Sequence, residues 1–258
     1  LMKIRDDEQG QKDTTVNLKG KTALVTGGAL RIGRAICNGL ASQGCNVVIH
    51  ANRSVKQASS LAGKIRQSGA DAFTVTGDLV TSGACELIVE KAIKLAGKLD
   101  ILINNAGIFR RQSFLSASEK EIRNQLEVNI MAPIKLIRAF GTRVGKGKIV
   151  NLLDCHITSN MPGLGPYLLS KRALAELTKL AARELAPAIT VNGIAPGPII
   201  SPATHNAIHE KAGQLPLRKR PLVQELVKAM IFLLESDFIT GQVLFVDSGQ
   251  HLLGSEEE

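Results

Sequence analysis

Thr22-Ala23-Leu24-Val25-Thr26-Gly27-Gly28-Ala29-Leu30-Arg31-Ile32-Gly33 is an apolar run that ends in a glycine turn and passes into a helical pattern. The run 22–26 reads as a buried strand because it is short, apolar and closed by turn residues. Helical periodicity follows over about 32–43, and Gly44 is placed to cap it. Glycine in the connecting turn lets the backbone bend tightly and come close to a ligand. The helix then aims its unbonded N–H groups and positive dipole end at that turn, which suits a pyrophosphate. Dinucleotide-binding folds carry their fingerprint at this junction of first strand and first helix.

The pattern repeats outward from that turn. Strand-like runs at 46–50, 72–76, 99–104, 148–153, 189–194 and 243–246 alternate with helical segments at 57–68, 83–96, 119–140, 166–185 and 222–234. Strands separated by helices require parallel pairing with helices covering both faces. Right-handed crossovers then leave a doubly wound fold as the simplest solution. The expected fold is therefore α/β: a single-domain, doubly wound, Rossmann-type parallel seven-stranded sheet over residues 16–254. Residues 1–15 are polar and charged and read as a flexible lead, and 255–258 as a short tail. The longest loop, 196–220, is expected to be a functional lid or a locally helical cover.

Composition narrows the function. Among 258 residues, 44% are hydrophobic, ample for one core. No apolar run reaches the ~18 residues of a membrane span, and the lead lacks a signal-peptide core. Cys37, Cys45, Cys85 and Cys155 are scattered, which argues for reduced thiols, a cytoplasmic location and no metal site. The net charge of +9 is dispersed and aromatics make up 3%, a poor basis for nucleic-acid binding. Arg218-Lys219-Arg220 reads as a solvated loop. A small-molecule substrate is expected.

The end of the second strand selects the nucleotide. NAD enzymes place an acid about twenty residues beyond the turn, whereas NADP enzymes offer arginine to the 2′-phosphate. Twenty beyond Gly33 is Arg53, in His50-Ala51-Asn52-Arg53-Ser54, with no acid nearby. Arg31 adds a second guanidinium, and Ser54 a hydroxyl, for charge-assisted bonds to a phosphate. NADP(H) is the expected cofactor. Asp78, followed by Leu79, could accept from an adenine amino group or cap the next helix.

Tyr167 is the only tyrosine, there is no tryptophan, and Lys171 lies four residues on. In a helix those two share a face. A neighbouring ammonium is expected to lower the phenol pKa and make a proton donor for reduction of a C=O or C=N bond.

On these residues the chain resembles the short-chain dehydrogenase/reductase family over 19–253. The resemblance rests on Thr26-Gly27 with Gly33, Asn104-Asn105-Ala106-Gly107, Asn129, Tyr167 with Lys171, and Pro196-Gly197. It implies that Asn104, Ala106 and Gly107 line the cofactor site, with Ile32, Asn52, Leu79, Pro196, Gly197 and Ile199 joining Gly27 and Gly33. It also implies that Asn129 holds a helix kink and a proton-relay water, and that Lys171 bonds the nicotinamide ribose. A homotetramer is implied as well.

Two departures refine the resemblance. Arg31 stands where the family usually has glycine, and Asp154 where it usually has serine, thirteen residues before Tyr167. Both are similar to the pteridine reductases of the family, in which an aromatic ring at the position of Phe109 stacks on the pterin. Serine can donate to a substrate carbonyl; an ionised Asp154 only accepts, which suits the N–H donors of a pterin. Asp154 could also hold a water that delivers a proton to a ring nitrogen. If burial keeps it protonated, it would donate as serine does. The expected activity is NADPH-dependent reduction of a pteridine ring (dihydropterin, biopterin or dihydrofolate), with Asp154, Tyr167, Lys171 and Asn129 as catalytic residues and Phe109, Asp154 and Tyr167 as substrate contacts. A 3-oxoacyl-carrier-protein reductase or other carbonyl reductase is the enzyme alternative, and an NADPH-binding regulator the non-enzyme one. Cys155 and His156 receive no role, because neighbours along a continued strand point in opposite directions.

Overall fold

The computed structural model describes residues 17–199 and 212–253. The expected lead at 1–15, the tail at 255–258 and the 200–211 part of the 196–220 loop lie outside the described residues. Seven strands form one parallel sheet: β1 Thr22–Val25, β2 Asn46–Ala51, β3 Ala72–Thr76, β4 Ile101–Asn104, β5 Gly147–Leu152, β6 Ile189–Pro196 and β7 Val243–Val246. Their spatial order is β3-β2-β1-β4-β5-β6-β7. The chain winds outward from β1 to β3, returns to β4 on the other side of β1, and winds outward again. Between β1 and β4 the direction reverses, so the loops at their carboxyl ends diverge and leave a crevice.

The helices are α1 Arg31–Ser42, α2 Val55–Gln67, α3 Ala84–Ala96, α4 Glu119–Leu126, α5 Ala132–Gly141, α6 Gly165–Leu185 and α7 Val223–Glu235. Alternation along each strand divides the apolar residues between two layers. Ala23, Val25, Val47, Ile49, Ile101 and Ile103 face α1, α2 and α7, where Ile36, Leu40, Leu61 and Met230 complete one core. Leu24, Val48, Leu102 and Ile149 face α3, α5 and α6, where Ile88, Leu136 and Phe140 complete the other. Strands buried on both faces explain why they read as unbroken apolar runs.

Local signals end the helices where expected. Gly44, at φ +73, follows α1, and its N–H bonds the carbonyl of Ala41. Ala186 is extended before Pro187, which stops α6. The segment expected to be mostly helical over 119–140 forms α4 and α5, joined by a π-helical stretch at Glu127–Met131. Helix α3 begins at Ala84 behind Gly83, so Asp78 does not cap it; its Oδ1 accepts from Val80 N at 3.2 Å, inside a turn. Leu217, Arg218 and Lys219 form an exposed turn. Among the described residues no helix is long and apolar enough to cross a membrane.

Candidate active site

The turn after β1 is tied to the end of β4 by one threonine. Thr26 Oγ1 accepts from Asn105 N (2.9 Å) and Ala106 N (3.0 Å) and donates to Ile103 O (3.1 Å). Asn105 Nδ2 returns to Thr26 O at 2.8 Å and Gly27 O at 3.2 Å. The glycine at 33 is required by contact: a Cβ there would sit 2.3 Å from Gly27 O. Arg31 holds φ +51, a left-handed conformation that glycine adopts more easily.

His50, quoted above only as a strand residue, braces the turn. Its Nδ1 accepts from Gly27 N at 3.2 Å and its Nε2 pairs with Gly77 O at 3.0 Å. The first bond requires an unprotonated Nδ1, so the proton lies on Nε2 and is donated to Gly77 O. Burial lowers its pKa and favours this neutral form.

A cleft of about 560 Å³ runs from this turn across the ends of β4 and β5. It gathers Gly27, Arg31, Ile32, Gly33, Ala106, Gly107, Phe109, Asp154, Tyr167, Lys171, Pro196 and Gly197, all expected at the site. Leu30, Asn105, Ile108, Leu152 and Leu153 complete the wall. The residues fit a dinucleotide. The N-cap of α1 at Leu30 carries no side-chain cap and its first turn no acid, so backbone donors remain for a pyrophosphate.

Several expected residues lie elsewhere. Asn104 is 2% exposed and donates from Nδ2 to Asn151 Oδ1 at 2.8 Å; its neighbour Asn105 takes the place on the cleft wall. Leu79 is buried in the second core, and Ile199 packs against the first. Asn52, Arg53 and Ser54 follow β2 on the surface, beside the turn that His50 braces. Asn129 sits in the π-helical stretch, as the implied kink requires. Its Oδ1 accepts from Ile108 N (2.9 Å), and its Nδ2 donates to Ile108 O (2.9 Å) and Ser170 Oγ (3.0 Å). Both amide hydrogens are therefore used within the protein, leaving none to donate to a relay water.

The chemical groups meet at the cleft floor. Tyr167 OH donates to Asp154 Oδ2 at 2.6 Å, and Phe109 stands edge-to-face on the tyrosine ring at 4.8 Å. Lys171 Nζ donates to Leu152 O at 2.8 Å. This corrects the expectation that Lys171 lowers the phenol pKa. Burial raises the Tyr167 pKa well above its usual value, and the charge and hydrogen bond of Asp154 raise it further. Burial pulls Lys171 down from 10.5 to about 8, against the opposing charge of Asp154. For Asp154, burial alone would raise the pKa. The bond from the His156 ring and that ring's positive charge, followed by bonds from Tyr167 OH and His156 N–H, outweigh it and hold the carboxyl below its usual range. The carboxylate is thus ionised rather than serine-like.

His156, like His50, has a role that the sequence does not reveal. The strand does not continue as assumed: β5 stops at Leu152, and Cys155–Thr158 form a 3-10 turn with Asp154 at its N-cap. The turn folds His156 back, so that Nδ1 lies 2.7 Å from Asp154 Oδ1.

The family model described as short chain dehydrogenase matches residues 21–212. The chain belongs to the short chain dehydrogenase family. Its fold and cleft are those of an oxidoreductase. Among curated relatives it is similar to the 3-oxoacyl-acyl-carrier-protein reductase FabG of Staphylococcus aureus (strain Mu50), with 31% identity over 90% of this chain and 98% of that one. Among solved structures it is similar to FolM alternative dihydrofolate reductase 1 from Brucella canis complexed with NADP. That match has 33% identity, a TM-score of 0.87, and coverage of 92% and 96% of the two chains. A blue fluorescent protein from a metagenomic library in complex with NADPH matches at 30% identity and TM-score 0.85, over 91% of this chain and 99% of that one.

Proposed function

We propose that the protein is an NADPH-dependent reductase of a pteridine ring, of the dihydropterin, biopterin or dihydrofolate class. A reduced nicotinamide in the cleft supplies the hydride; binding, orientation and proton delivery fall to the chain. The ionised Asp154 beside Tyr167 carries the reading. Next to a developing alkoxide this carboxylate would repel charge. Next to a pterin it accepts from ring N–H and amino groups. Phe109, 52% exposed, offers ring surface to a flat heterocycle. The likeness to an alternative dihydrofolate reductase supports the same substrate class.

Tyr167 is the proton donor in this reading. A substrate that donates to Asp154 competes for the carboxylate and frees the phenol to turn toward the ring nitrogen. Lys171 spends one N–H on Leu152 O and has two left, for a ribose hydroxyl and for the phenolate oxygen after proton transfer. Arg31 and Arg53 hold the 2′-phosphate, and the turn at 27–33 holds the pyrophosphate. NADP and NADPH in the solved neighbours agree with that assignment. The protein acts as a homotetramer under the same reading, which analytical ultracentrifugation checks.

A second reading, a 3-oxoacyl-carrier-protein reductase, is favoured by the FabG relative and by the net charge of +9, which suits an acidic carrier protein. NADPH oxidation measured against biopterin, dihydropterins, dihydrofolate and acetoacetyl thioesters decides between them. Turnover of a pterin or folate is expected. Turnover of thioesters alone establishes the second reading, and NADPH binding with no turnover makes the protein a nucleotide-binding regulator.

A further inference from the structure

The Asp154 carboxylate has two sides. Oδ2 faces the cleft and takes the Tyr167 hydroxyl. Oδ1 faces away and accepts from His156 N at 2.9 Å and pairs with His156 Nδ1 at 2.7 Å. Beyond the imidazole, Nε2 meets Gln250 Nε2 at 3.3 Å, and Gln250 Oε1 accepts from Cys155 Sγ at 3.4 Å. An ionised carboxylate only accepts, so Nδ1 carries a proton and donates it to Asp154 Oδ1, while Nε2 faces the Gln250 amide. Gln250 in turn lies in a C-terminal 3-10 turn, Gln250–Leu252. His156 also lines a separate cavity of about 300 Å³, with Arg111, Ser159 and His251.

We propose that His156 is a positioning residue for the reacting tyrosine. By donating Nδ1–H to Asp154 Oδ1, it fixes the carboxylate so that Oδ2 faces the Tyr167 phenol, and Gln250 packs against the far nitrogen of the ring. The C-terminal turn is thereby coupled to the cleft floor. This inference rests on the reading of the cleft as a reductase site. Other charged or titratable groups stand around the pair. Cys155 adjoins it on the same turn, Lys171 lies in the cleft, and Arg111 and His251 line the far cavity. Arg172 braces the turn through Nε to Ile157 O at 2.9 Å. Among these groups, His156 is the one that bonds the carboxylate oxygen turned away from the cleft.

The test uses the fact that the chain has one tyrosine. With tyrosine labelled by carbon-13 at the ring carbon bearing oxygen, Tyr167 gives a single NMR resonance that senses its hydrogen bond to Asp154. D154A marks the position of the broken pair. H156F is expected to move the resonance toward that of D154A. H156N places an amide donor near the original Nδ1 and is expected to stay with the parent, whereas H156Q places it one methylene too far and is expected to follow H156F. In steady-state NADPH oxidation, H156F is expected to lose roughly tenfold or more in kcat, from one charge-assisted hydrogen bond. Its KM for NADPH should be unchanged, and the acid limb of its kcat profile displaced to higher pH, because a carboxylate that loses a donor protonates more readily. If H156F does not fold, the H156N and H156Q pair decides alone. A resonance in H156F or H156Q that coincides with the parent's overturns the inference, as does lost activity with an unmoved acid limb. Should the parent reduce no pterin, the substrate reading fails, while the resonance still decides the role of His156.

Discussion

Replacing Lys171 by methionine tests whether a buried ammonium at the cleft floor destabilises the nucleotide-free protein. Lys171 is 6% exposed, and burial pulls its pKa from 10.5 to about 8. The folded chain therefore releases this proton before the unfolded chain does. Between those two values the unfolded state holds more protons, so stability rises with pH across the window. The gap, 10.5 minus 8, is worth about 3 kcal/mol at 1.36 kcal/mol per unit. That penalty applies in full below about pH 8 and disappears above about pH 10.5. Buried thiols act in the opposite sense: burial raises Cys45 to about 12 and Cys85 to about 11, so their contribution falls as pH climbs past 9. Comparing the parent with Lys171→Met cancels the thiols. The lost bond to Leu152 O offsets the comparison at every pH. Urea unfolding of both proteins at pH 7 and pH 10 should show the parent gaining about 2–3 kcal/mol on the variant. A difference that stays flat would mean that water reaches the ammonium in the folded state, and would refute the desolvation reasoning.

Tyr167→Phe should fold normally and lose on the order of 10²-fold in kcat, measured by NADPH oxidation, because it removes the positioned acid. Arg53→Ala should weaken NADPH roughly tenfold, through a lost charge-assisted contact, and leave NADH unchanged by titration calorimetry. Phe109→Ala should raise KM for a pterin roughly tenfold with NADPH affinity intact, if the ring contributes like aromatic stacking on a nucleobase. Asp154→Ser should lose pterin reduction and gain activity on simple ketones; unchanged pterin turnover would remove the carboxylate from the substrate assignment.

Sheet and helices were legible because their signals are local. Strands such as Val47-Val48-Ile49 are apolar on both faces, and Gly44 and Pro187 end helices by backbone geometry alone. What escaped depends on contacts distant in the chain. Strand β6 runs two residues past its expected end because Ala195 and Pro196 pair with Phe245 and Val246. The π-helical stretch forms where Asn129 bonds the backbone of Ile108, 21 residues away. Asn104 and Asn105 are identical in composition, and only the parity of β4 decides which side chain enters the interior. The residues of the turn at 27–33 were legible as a cradle, but His50 was not, since its role depends on Gly77, 27 residues on.

Asp154 changes what a tyrosine and lysine at this spacing can do. In the free cleft its charge raises the Tyr167 pKa and moderates the fall in Lys171. A phenol bonded at 2.6 Å to an anion is a weak acid toward anything else, so the resting site is not poised to protonate a simple carbonyl oxygen. A substrate that brings hydrogen-bond donors of its own removes that restraint. Its N–H groups draw off part of the carboxylate's charge, and the phenol becomes the stronger acid when the donor-bearing ring is in place. A ketone has no such donors and meets a repelling oxygen instead. Under the pteridine-reductase reading, the carboxylate makes acid strength depend on the substrate's donor edge. Discrimination then lies in the proton-transfer step as well as in binding, and it would appear as a difference in kcat between a pterin and a ketone that occupy the same cleft.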